Sequence, residues 1–167
     1  LRGALLRMRM AMKEIARVGD DAEPGAPLFA WRQTSNELMD IDKHYHRKEN
    51  AIFSCLERHG ITGPSKVMWA KDDEVRELLK GLNEALATQG ATAGEWKVVA
   101  ASLGDAALGA VEEMIYKEEQ ILLPMCLDAL SEAEWGAIAR GSADLGYCLV
   151  VPEADWQKLL QGQAELL

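Results

Sequence analysis

Apolar residues recur at alternating steps of three and four along almost the whole 167-residue chain. That period suits helices that each bury one stripe, and it is wrong for strands. Leu5, Met8, Met12 and Ile15 form the first run, which stops at Gly19-Asp20-Asp21-Ala22-Glu23-Pro24-Gly25. A long second helix is expected from about Leu28 to His59. Leu38, Ile41, Tyr45, Ile52, Cys55 and Leu56 lie on its stripe, and Gly60 is placed to end it in the left-handed conformation. Gly63-Pro64 opens a third helix, whose Met68, Val75, Leu79, Leu82 and Leu86 share one face until the Gly90 region. Thr92 and Glu95 have the spacing of a capping box, predicting a fourth helix to about Leu127. Ser131 and Glu134 repeat that signature for a short fifth helix ending near Gly141. The expected fold is therefore all-α, an antiparallel up-down four-helix bundle over residues 1–141. Residues 142–167 are expected to form a C-terminal connector toward a downstream domain, with Gly146 to Pro152 reading as extended.

Charged residues interrupt these stripes at particular places. In the third helix the series 68, 72, 75, 79, 82, 86 is apolar except at Asp72. In the fourth, Glu118 interrupts Val111, Ile115, Leu122 and Met125; in the second, Lys48 holds the equivalent slot, and His44 borders the same face. Four ionisable side chains, His44, Lys48, Asp72 and Glu118, are thus expected to point inward. A buried charge without a partner costs several kcal/mol or changes protonation state, so inward carboxylates call for a metal or a cation. Two arrangements satisfy that need. His44, Asp72 and Glu118 can supply nitrogen and oxygen ligands to iron, zinc or manganese, with Glu49 as a further candidate ligand. Alternatively, Lys48 neutralises Asp72 or Glu118 while His44 hydrogen-bonds the other, and no metal is present.

The formal net charge of −9 and pI near 4.9 argue against nucleic-acid binding, which needs a basic face. Cys55, Cys126 and Cys148 are odd in number and widely spaced, against a disulfide frame and in favour of a reducing cytoplasm. No apolar run reaches the length of a membrane span, and no signal peptide is evident. His46 falls on the opposite side of its helix from His44 and is expected to be exposed; His59 sits in the last turn before Gly60, where an imidazole complements the free carbonyls. Met8, Met10, Met12, Met68, Trp69 and Trp96 read as packing residues.

Two strings offset by seventy positions look like copies: His44-Tyr45-His46-Arg47-Lys48-Glu49-Asn50 and Met114-Ile115-Tyr116-Lys117-Glu118-Glu119-Gln120. Together with His59-Gly60-Ile61-Thr62-Gly63-Pro64 and the Lys117 to Met125 string, they resemble the hemerythrin-like HHE cation-binding family, and more closely its subgroup found upstream of PAS sensor domains. The resemblance spans about Leu38 to Pro152. It implies an up-down bundle able to hold a non-haem di-iron centre, used for oxygen binding, oxygen or redox sensing, or iron handling. Each half of the family motif pairs a His with a Glu four residues on. Here His44 and Glu118 match, whereas Lys48 replaces the first Glu and Met114 the second His; the subgroup usually has a His at the position of Asp72. A full centre takes more histidines than the three in this chain. Tyr45 and Tyr116, whose phenols could donate to Glu118 or His44, are expected to support the cluster.

Three functions are consistent with this pattern. The favoured one is a sensory or regulatory metal-binding module read by a neighbouring PAS-type or other signalling domain. The alternative is a metal-free interaction bundle held in register by a Lys48/Asp72/Glu118 network. A mononuclear-iron oxidoreductase ranks last, because the sequence offers no committed acid-base pair; no catalytic residue is assigned.

Overall fold

A computed structural model describes residues 1–150. Every regular element among them is helical, in agreement with the all-α class. The chain divides into two compact units, residues 1–40 with 70–116, and residues 41–69 with 117 onward.

The first unit begins with α1 (Arg2–Ala16) and α2 (Gly25–Leu38), which pack on each other. It takes α5 (Gly63–Leu86) from Ala70 on, then α6 (Ala93–Val99) and α7 (Asp105–Lys117) as far as Tyr116. The stripe residues of the period argument fill its core: Met8, Ile15, Leu38, Val75, Leu79, Leu82 and Val111 are all buried. Trp31 and Trp96 meet edge to face at 6.2 Å and 77°, the favoured offset geometry for two quadrupoles. Between α6 and α7 the backbone widens into a π-helical segment, Ala100–Gly104. Gly104 ends it under the Met12 side chain and the Trp31 ring, where an added Cβ would lie 2.6 Å from Met12 Cε and 3.1 Å from Trp31 Cζ2. The Thr92–Glu95 capping box forms as expected. Arg32 closes the end of α5 by donating to the Leu86 and Thr88 carbonyls at 2.7 and 2.8 Å, groups a helix terminus leaves unsatisfied.

The second unit starts with α3 (Ile41–Arg47), a π segment Lys48–Phe53, and α4 (Ser54–Arg58). The long second helix expected from Leu28 to His59 is therefore several pieces. It starts earlier, at Gly25, and tightens at Met39–Asp40, where Met39 and Asp40 donate back only three residues, to Asn36 and Glu37. Gly60, at φ 77°, closes α4 as expected: its N–H reaches the Glu57 carbonyl at 2.9 Å and that of Ile61 the Leu56 carbonyl at 3.0 Å, the paired bonds of a Schellman cap. The unit continues with the first residues of α5, then a second π segment Glu118–Leu122, α8 (Leu123–Ala129) and α9 (Glu132–Leu145). Pro124 opens α8. Proline has no N–H and its ring crowds the carbonyl four residues back, so the preceding backbone widens instead of continuing as α.

The fifth helix is longer than the sequence suggested. It passes through Gly141 and stops at Leu145, where Gly146 takes φ 82°. Ser131 and Glu134 form the predicted capping box at its start. The part of the expected connector after Val150 lies outside the described residues. No helix among the described residues is long and apolar enough to cross a membrane.

Candidate functional site

The two copied strings lead into π segments at matching positions, Lys48–Phe53 and Glu118–Leu122, both within the second unit. In π geometry the backbone bonds five residues apart, and the angular step per residue departs from that of an α-helix. Lys48 and Glu49 are each 4 % exposed, neighbours in sequence and both buried. Glu49, named from the sequence as a further candidate ligand, is therefore an interior carboxylate. Glu119, its copy, is exposed.

Lys48, Glu118 and His44 form one cluster. The Lys48 ammonium donates to Glu118 Oε1 at 2.5 Å, and His44 Nε2 lies 2.8 Å from Glu118 Oε2. Both carboxylate oxygens are thus engaged. Lys48 Nζ also lies 4.3 Å from the centroid of the Tyr45 ring, and Tyr45 is buried. A ring face stabilises an ammonium through its quadrupole, more strongly once water is excluded. Tyr45 therefore meets the cluster through its ring as well as by position. Burial pushes the Glu118 carboxyl up, but the hydrogen bond and charge of His44, together with the charge and hydrogen bond of Lys48, outweigh it; the carboxyl is held below its ordinary range. The group is a carboxylate at neutral pH.

The remaining candidates are distributed differently. Asp72 is fully buried and belongs to the first unit. Met114, which stands where the family motif has a His, is packed in the apolar core of that unit. Tyr116, expected beside the cluster, is 63 % exposed, so its phenol faces solvent. His46 is exposed and shares Asn50 as its neighbour, at 3.1 Å from Nδ1. His59 does more than face the free carbonyls of α4: its Nε2 is 2.8 Å from Glu134 Oε1, which ties the end of α4 to the start of α9. Glu134 is held down to about 2, first by the Ser131 backbone N–H and next by His59. Nothing in the spacing of His59 and Glu134, far apart in sequence, could have revealed that pair.

Arg47 is the residue that sequence reasoning passed over. It donates to the Gly146 carbonyl at 2.7 Å and its guanidinium stacks over Tyr147 at 5.2 Å, fixing the end of α9 against α3.

His44 and Glu118 are donors of the type iron or zinc takes. In this arrangement, however, they face one another directly, and the second Glu118 oxygen carries an ammonium. That group has three donors, no lone pair and a positive charge. A metal would have to displace a like charge from the carboxylate it needs. The cluster as arranged does not fit a metal ion, and among the described residues no group of three or more His, Cys, Asp or Glu side chains is placed to hold one.

Described residues whose regular elements are all helical, with two matched π segments and a part-buried ion cluster, define a class: helical bundles that carry polar clusters between helices. The chain matches the hemerythrin HHE cation binding domain over residues 5–126 and belongs to that family, whose members bind metal cations. No curated protein matches it in sequence.

Proposed function

We propose that this chain is a regulatory bundle of the hemerythrin HHE family in which a protein cation, the Lys48 ammonium, serves where relatives hold a metal. The observation that carries this is the contact of Lys48 Nζ with Glu118 Oε1 at 2.5 Å, with His44 on the other oxygen. By the resemblance of the copied strings to the family motif, Lys48 takes the position of that motif's first Glu. Replacing a ligand by a cation changes the site from one that recruits positive charge to one that already contains it. Such a cluster fixes helix register without depending on metal supply. The resemblance of the copied strings to PAS-linked relatives supports a role in which the bundle is read by a neighbouring PAS-type or other signalling domain. No residue is assigned a catalytic part.

The iron-dependent sensory reading rests on the family match and on the burial of two carboxylates, those of Glu49 and Asp72. It assigns His44, Glu49, Asp72 and Glu118 as ligands, and it requires Lys48 to leave Glu118. One experiment separates the two readings: metal analysis and an optical spectrum after iron addition, on wild type, Lys48→Glu and Glu118→Ala. The expected result is a wild type without stoichiometric iron and a Lys48→Glu variant that gains it. Wild-type protein holding about one iron per chain, lost in Glu118→Ala, would overturn the proposal in favour of the metal reading.

A further inference from the structure

The second unit contains a cavity of about 820 Å³ between α3 and its π segment, the π segment at Glu118–Leu122, α8 and α9. That volume is in the range of small-molecule sites, roughly 300–1,000 Å³. Its walls are mainly apolar: Leu122, Cys126, Trp135, Ile138 and Ala139 line it, with Ile52 opposite. The direction of α9 gives the cavity two ends. The start of α9 is tied to His59 through Glu134, and its end to Arg47 through the Gly146 carbonyl. Ile52, Cys126 and Trp135 therefore lie toward the first end, and His44, Arg47 and Ser142 toward the second. The chamber is apolar along its length, with His44, Arg47 and Ser142 at the second end and the acidic Glu132 at the first, so an amphiphile with an acidic head suits the second end.

The polar end also specifies the head group. Lys48 is committed to Glu118, and both Glu118 oxygens are taken. The Ser142 hydroxyl donates to the Ile138 carbonyl at 2.7 Å. Arg47 differs from these. Among the described residues its guanidinium has one hydrogen-bond acceptor, the Gly146 carbonyl, and no carboxylate partner. A guanidinium is always charged, only donates, and presents several N–H groups in a fork that matches a carboxylate. Glu119 and Glu132 also line the cavity, and Glu132 is exposed at the first turn of α9, toward the opposite end.

We infer that this cavity binds a monocarboxylic acid with an extended apolar body, its carboxylate on Arg47 and its chain along Leu122, Cys126 and Ile138. The inference stands on Arg47 and rests on the reading above in which Lys48 stays on Glu118.

Calorimetric titration of the full chain with decanoate, decanol and decylamine tests it. Decanoate binds and decylamine does not. Arg47→Gln weakens decanoate by about tenfold, the worth of one charge-assisted hydrogen bond, and leaves decanol unchanged. Ala139→Trp, which fills the chamber without touching the Gly146 contact, abolishes binding of both. Absence of decanoate binding to the full chain, equal binding by Arg47→Gln, or tighter binding of decylamine overturns the assignment.

Discussion

Replacing Lys48 by Met removes the ammonium while keeping a long apolar stem. The structure sets the size of the effect. Lys48 is 4 % exposed and its partner Glu118 has 15 % of its side chain accessible, so the pair is mostly desolvated. Removing one partner of a buried pair costs roughly 3–5 kcal/mol, because the other charge remains. His44 still contacts Glu118 Oε2, and the carboxylate keeps some solvent, which places the expected loss at about 3 kcal/mol, the low end of that range. For a chain of this size that lowers Tm by on the order of 6–12 °C. Thermal and urea unfolding with a chelator present measure it without any contribution from metal. The partner identity is checked by a double-mutant cycle with Glu118→Gln, which removes the orphaned charge. The double variant should be more stable than the sum of the single losses allows, by at least about 1 kcal/mol. Lys48→Met melting within about 2 °C of wild type, or additive losses in the cycle, would refute the claim that this contact holds the unit together.

Two further outcomes follow from other parts of the molecule. Glu134 titrates near 2 in the folded chain against 4.5 ordinarily; a depressed carboxyl stabilises above the unfolded value and loses that contribution as pH falls. Urea midpoints of wild type and Glu134→Gln should therefore differ at pH 6 and converge between about 4.5 and 2, and a pH-independent gap would exclude the Ser131 and His59 contacts as its source. Gly104→Ala places a methyl against Met12 and the Trp31 ring; overpacking costs roughly 1–3 kcal/mol and better helix propensity returns about 1, so a net loss near 1 kcal/mol is expected in chemical unfolding, and it should shrink in a Met12→Ala background.

Much of the fold was legible because its determinants are local. Apolar spacing, the Thr92–Glu95 and Ser131–Glu134 capping boxes, the glycine after His59 and the Gly63-Pro64 start each specify backbone geometry within a few residues. The break at Met39–Asp40 and the extension of α9 past Gly141 were not legible, since neither residue pair nor glycine alone dictates where a helix tightens or stops. Among the candidate site residues, His44, Lys48 and Glu118 could be recognised as charges on apolar stripes. The burial of Glu49 could not, because it depends on a π segment that rotates the register the stripe argument assumes.

The helical class, the caps, and the presence of charges that need partners all arise from spacing along one chain, so they could be read from it directly. Which partner each charge takes is a matter of packing between helices. Whether Lys48 meets Glu118, His59 meets Glu134, or Arg47 turns to Gly146 depends on how helices distant in sequence approach one another. Hydrogen bonds act over about 3 Å, and no periodicity in a single strand of text specifies distances between segments at that scale.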